Sequence, residues 1–177
     1  MMKNLIYLVT GLIFLLSAQA CQDKKGKNYN QQQHDDQDGI VFIKSGIEGG
    51  MTEIKASGLA ITNSNNQKVI GLAKMMIDDH TKVGEELKQL ETDKKIIEKD
   101  TISAAHQQMI TDLSKKSGAA FDKAYLQMMV ADHEQAVKLF TNASTNPDKA
   151  IKKVASDNLP AIKMHLDSAN AICISLK

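Results

Sequence analysis

The chain has 177 residues, with 22 basic residues (all Lys, no Arg) against 21 Asp+Glu, 42% hydrophobic and 4% aromatic residues, two Pro and no Trp. A cation set without Arg or a basic block argues against nucleic acid as a partner, since bidentate recognition of phosphates and bases favours the guanidinium group. Few aromatics and much Ala, Ile, Leu, Met and Lys exclude a β-sandwich in favour of an all-α domain, and two cysteines exclude a disulfide scaffold.

Residues 1–20 read as a lipoprotein signal peptide. Lys3 gives the positive start, and Leu5 to Leu16 form an apolar run broken only by Thr10 and Gly11. That run is too short to span a bilayer. Ala18-Gln19-Ala20-Cys21 resembles a bacterial lipobox, which implies cleavage before Cys21 and a lipid on its thiol; the alternative is ordinary secretion with cleavage after Ala20 and a free Cys21. Loss of residues 1–20 removes Lys3 and no acid, so the anchor, not charge, is expected to hold the protein to the membrane. The expected location is the bacterial cell envelope, at the outer membrane, facing either the periplasm or the surface. Residues 21–37 read as a lipid-anchored disordered tether: QDKKGKNYNQQQHDDQ carries one Tyr and no aliphatic side chain to bury.

The helical domain is expected over residues 38–177. A first helix, about Asp38 to Ile61, presents Ile40, Ile43, Ile47, Met51, Ile54 and Ile61 as one stripe. Gly46, Gly49, Gly50, Ala56, Ser57 and Ala60 form a second, small-residue face. Thr62 to Asn66 is a turn and cap cluster. A second helix, about Asn66 to Leu90, buries Val69, Leu72, Ala73, Met76, Val83, Leu87 and Leu90. A shorter helix, about Thr101 to Lys115, follows a charged stretch, and its His106 reads as exposed. After Ser117-Gly118, a helix from about Ala119 to Asn142 turns Phe121, Tyr125, Met129, Ala136 and Phe140 inward. The last helix, about Asp148 to Leu176, presents Ile151, Ala155, Ile162, Leu166, Ala169 and Cys173, and Pro160 is expected to kink or restart it. Four long helices with a short one between the second and the fourth segments describe a ferritin-like antiparallel four-helix bundle with an extra short helix in its long crossover.

One internal echo carries chemistry. Met75-Met76-Ile77-Asp78-Asp79-His80 and Met128-Met129-Val130-Ala131-Asp132-His133 share the pattern Met-Met-aliphatic-x-Asp-His. Residues four apart share a helix face, so His80 and His133 each lie about 40° from a stripe methionine, Met76 or Met129. His165 lies about 60° from Ile162, beside Met164. Three helices therefore turn a histidine inward and should gather them in one polar cluster. Glu53 sits on the small-residue face of the first helix, about 110° from the Ile stripe. No Glu-x-x-His pair of the di-iron kind is present.

The stretches FIKSGIEGGMTEIKASGLA (Phe42 to Ala60), AKMMIDDH (Ala73 to His80), FDKAYLQMMVADHEQAV (Phe121 to Val137) and LPAIKMHLDSA (Leu159 to Ala169) together resemble domain-of-unknown-function family 4142, a bacterial family of predicted outer-membrane or periplasmic proteins. The resemblance spans roughly Asp38 to Ile172 and implies a ferritin-like bundle, but no activity. Glu53, Asp79, His80, Phe121, Asp122, Tyr125, Asp132, His133, Pro160 and His165 occupy positions that match its pattern.

Two functions follow. One is a cell-envelope lipoprotein whose bundle is a non-enzymatic binding or structural module. The alternative is a bundle that binds a transition metal ion (copper, iron or zinc) through inward-facing histidines. Its candidate ligands are His80, His133 and His165, with Asp79, Asp132 and Glu53 as carboxylates and Met76, Met129 or Met164 as thioethers. Thioethers would select copper, and carboxylates iron, manganese or zinc. No Ser-His-Asp or Cys-His arrangement and no phosphate-cradling glycine loop supports an enzyme.

Overall fold

The computed structural model describes the backbone of residues 24–176 and the side chains of residues 37–176, and among the described residues there are five helices and no strand. They are α1 (Lys24–Asn63), α2 (Gln67–Asp93), α3 (Ala104–Ser114), α4 (Gly118–Ala143) and α5 (Lys149–Ser175). Local chemistry starts three of them where the sequence places a cap. The side chain of Asn66 accepts from the Lys68 amide, that of Ser103 from the His106 amide, and that of Asp148 from the amides of Ala150 and Ile151. Gly118 opens α4 at φ +55°, where a side chain would be strained.

α1 packs on α2 and α4, and α5 packs on α4 and α2, so the order around the bundle is α1, α2, α5, α4. The side-chain amide of Asn63, at the end of α1, donates to the Lys116 carbonyl just before α4. Lys94, just past α2, pairs with Asp148 at the start of α5. The crossover between α2 and α4 therefore runs back along the bundle, and all four neighbouring pairs are antiparallel. This is the ferritin-like connectivity, with α3 in the crossover against α1 and α4. Lys44 of α1 straps the crossover down by pairing with Glu91 and Asp100 and donating to the Glu98 carbonyl.

The core is two apolar clusters stacked along the bundle axis. One gathers Ala56, Ala60, Val69, Met76, Phe121, Tyr125 and Met129, with Cys173 packed against it. The other gathers Phe42, Ile43, Ile47, Leu87, Phe140, Ile151 and Ile162. On every long helix, the positions between the two clusters are polar and buried: Glu53, His80, His133 and His165.

Three features differ from the expectations. Ile43 and Ile47 are buried as the stripe predicts, but farther along α1 the inward face turns to Thr52, Glu53, Ala56, Ser57 and Ala60, and Ile61 is 41% exposed. Small side chains let the neighbouring helices close in, and close approach outweighs the bulk of one isoleucine. The backbone from Lys24 to Gln37 is helical, not a structureless tether. Its composition argues against burial but not against a helix: Lys and Gln are good helix formers, and extending a nucleated helix is cheap. Finally, α5 does not restart at Pro160 but continues through it. The proline removes the amide partner of the Ser156 carbonyl, and both residues lie on the exposed side of the helix. The predicted signal peptide and the Cys21 lipid site lie outside the described residues.

Phe140 is 3% exposed, and its ring meets Phe42 edge-on at a centroid distance of 5.0 Å. Phe140→Ala should cost about 3–5 kcal/mol. Lys123→Ala, on the exposed side of the same helix, should cost under about 0.5 kcal/mol. Chemical denaturation midpoints, compared at equal slopes, measure the difference.

Candidate metal centre

Because Glu53, His80, His133 and His165 replace one apolar layer on four different helices, they meet at mid-height in the bundle. The three imidazole rings are mutually packed, with centroids 5.3–5.4 Å apart. One nitrogen from each lies within 4.8 Å of the others. Glu53 stands beside them and divides its two oxygens: Oε2 is 3.0 Å from His80 Nε2, and Oε1 is 3.1 Å from His133 Nδ1.

The partners fix the protons. His133 Nδ1 also lies 2.9 Å from the Met129 carbonyl, so both of its neighbours are acceptors and Nδ1 carries the hydrogen. The lone pair of His133 is then on Nε2, which faces His80 Nε2 at 3.4 Å. His165 Nε2 donates to Asp79 Oδ2 at 3.1 Å, and Asp79 is itself held by Lys82. That leaves His165 Nδ1 fully buried with no hydrogen-bond partner. A bare nitrogen in a site with a side-chain exposure of 1% is costly unless something occupies its lone pair.

Electrostatics separates the three rings. Burial opposes charge on all of them. At His80 the adjacent Glu53 carboxylate outweighs burial and raises the pKa above the ordinary histidine value. At His133 and His165 burial wins, helped by the neighbouring imidazoles, and both are shifted below the ordinary histidine value. Glu53 is lowered despite its burial, because His80 and His133 face it. The Glu53 carboxylate thus favours a proton on His80, while burial disfavours one on His133 and His165.

The His80–His133 pair has the spacing of two ligands of one cation, and the full set, spread over up to 4.8 Å, would have to draw in by about half an ångström for His165 to join them. Two nitrogens 3.4 Å apart, each bonded to one ion at about 2.0–2.1 Å, subtend an angle of about 110°, close to tetrahedral. The Asp79–His165 hydrogen bond has the form of the outer-sphere carboxylate that orients a ligating histidine.

Not every predicted residue joins the cluster. Asp79 enters through His165 only. Asp132 lies in the wall of an adjoining cavity, with its Oδ2 buried and unpartnered. Met76 and Met129 pack in the apolar cluster with Tyr125, and Met164 is 42% exposed, too far out to complete a buried site. The donors gathered at the cluster are nitrogen and oxygen. His106, expected to be exposed, is half-buried: its Nδ1 is 2.7 Å from Glu48 Oε1, and Glu48 also accepts from the Ser103 amide at the start of α3. These contacts join residues more than 50 positions apart, and no local spacing announces them.

A sequence profile described as a domain of unknown function (DUF4142) matches residues 24–172. No curated protein matches the chain. Among solved structures, the chain is similar to a DUF305 fragment from Deinococcus radiodurans, at 12% identity and a TM-score of 0.68, covering 77% of this chain and 95% of that one. At that identity the likeness speaks for the helical fold alone.

Burial and the nearby Glu53 charge push the Asp132 carboxyl up to about 6 from its ordinary 3.8, with His106 offsetting part of the effect. A raised folded-state pKa means that stability is lost as the pH rises from the unfolded value through 6. Asp132→Asn removes that loss. The variant should be more stable than wild type by about 1–3 kcal/mol at pH 7.5, with the gain shrinking as the pH falls from 6 to 4. Thermal melts across that range read it directly.

Proposed function

The chain belongs to the DUF4142 family, whose description names no activity, and from the geometry of its own site we propose that it binds a divalent transition metal ion inside the bundle. His80, His133 and His165 are the ligands, and Glu53 is the anionic partner beside the ion. The carrying observation is that three buried imidazoles each bring a nitrogen within 4.8 Å of the others, with His165 Nδ1 left without a hydrogen-bond partner. Imidazole with a carboxylate suits zinc, copper(II) or iron(II). The same residues read as a purely structural cluster would leave that nitrogen without a partner.

A ligand that binds only the folded state stabilises it by about 2.7 kcal/mol at a hundred times its dissociation constant. For a chain of this size that is a rise in melting temperature of roughly 5–11 °C. Zinc or cobalt(II) should produce such a rise with one ion per chain in untagged protein, and His133→Ala and His165→Ala should abolish it. Far-UV circular dichroism verifies that the variants remain helical. Identical binding curves for wild type and both variants would sink the reading.

We also propose that the bundle is held at the cell envelope by a lipid on Cys21. The sequence of residues 1–21 supports this, and no helix among the described residues is long and apolar enough to cross a membrane itself. Cys21→Ala should move the protein from the membrane fraction to the soluble fraction on cell fractionation.

A further inference from the structure

A site buried at mid-bundle needs a way in. Two cavities touch His80. The first, about 410 Å³, is lined by Glu53 and His80 and also by Glu48, His106 and Asp132. The second lies over the groove between α1 and α2; it reaches His80 past Lys88 and does not touch Glu53.

The first cavity is graded. Glu48 and His106 have side-chain exposures of 27% and 26%, Asp132 18% and Glu53 4%. Carboxylates from α1 and α4 thus step inward from the partly exposed rim to the carboxylate at the metal centre, and no lysine lines this path. Asp132 Oδ2 is buried there without a partner, so the path includes an acceptor that the protein itself leaves unused. His106, carried on α3, spans the rim: Nδ1 meets Glu48, and Nε2 lies 3.9 Å from Asp132 Oδ1. Gly49 also lines the cavity beside Glu48, and a Cβ built there would meet nothing within 4 Å, so a larger side chain would project into open space.

We propose that this cavity is the entry and exit route for the metal ion, with Glu48 and Asp132 as successive stops between solvent and Glu53. The proposal rests on the metal-binding reading above and adds the direction of travel. A cleft lined by one sign of charge between low-dielectric walls raises the local concentration of the opposite ion and its association rate by about 10- to 1000-fold. The second cavity has no such gradient: its charged lining is one acid, Glu85, and one lysine, Lys88, which is itself paired with Glu91 and Asp100. The crossover helix, which carries no ligand of the inner site, then has a function: it holds His106 at the mouth.

Stopped-flow mixing of the metal-free full chain with cobalt(II) tests this, because the visible absorption of cobalt reports its coordination and its rate of arrival. Glu48→Gln removes a charge at the rim without touching an inner ligand. It should slow loading about tenfold at low ionic strength, less at high salt, and leave the final stoichiometry at that of wild type. Gly49→Leu places bulk in the cavity and removes a helix-interior glycine, so it should fold well. It should slow both loading and chelator-driven release by at least tenfold at any salt concentration. Wild-type rates in both variants would overturn the route while leaving the inner site intact. A wild-type chain that takes up no cobalt at equilibrium would overturn the metal reading, and the route with it.

Discussion

The structure depends on the burial of one carboxylate. Glu53 is 3% exposed and lies at the level where the two apolar clusters leave off. An ionised carboxylate in such a place is several kcal/mol out of favour unless it is paired and hydrogen-bonded. His80 and His133 provide both, from two different helices. The requirement is mutual, because any proton on His80 in the core is favoured by Glu53. The relative heights and rotations of α1, α2 and α4 follow from that triangle, and the apolar clusters above and below fill the remaining space. Glu53 also links the inner site to the cavity, since its charge is felt by Asp132 as well as by the histidines.

Much of this is legible in the sequence because it is local or periodic. Turn clusters and capping side chains mark α2, α3 and α5, and the Met-Met-aliphatic-x-Asp-His echo marks two of the histidines. The face of α1 is harder to read. A stripe of isoleucines outweighs a run of Gly, Ala and Ser on any hydrophobicity count, yet the small residues face the neighbouring helices. Helix contact is decided by how closely backbones approach, not by side-chain size alone. Glu53 belongs to that small face, and so appears peripheral until α1 is seen packed against α2 and α4.

Glu48 and His106 were illegible for another reason. Their pairing links the middle of α1 to the first turn of the crossover helix, and the path of a crossover over a bundle is a global property. The methionines of the echo show the converse error. Met76 and Met129 lie one turn from His80 and His133, but their side chains serve the apolar cluster, as flexible fillers of irregular space do. Proximity in sequence to a histidine is therefore a poor guide to which sulfur a metal would meet.

The four polar residues are divided evenly between two hairpins: α1 and α2 supply Glu53 and His80, while α4 and α5 supply His133 and His165. Neither hairpin alone has three imidazoles. Under the proposed metal reading, an unfolded or half-docked chain would present no tight site, and occupancy would report that the halves have closed on each other. Once bound, an ion would act as a rivet between two pieces that are otherwise joined covalently only through the crossover. Each half would release the metal on separating, which makes metal loss and mechanical opening of the bundle the same event.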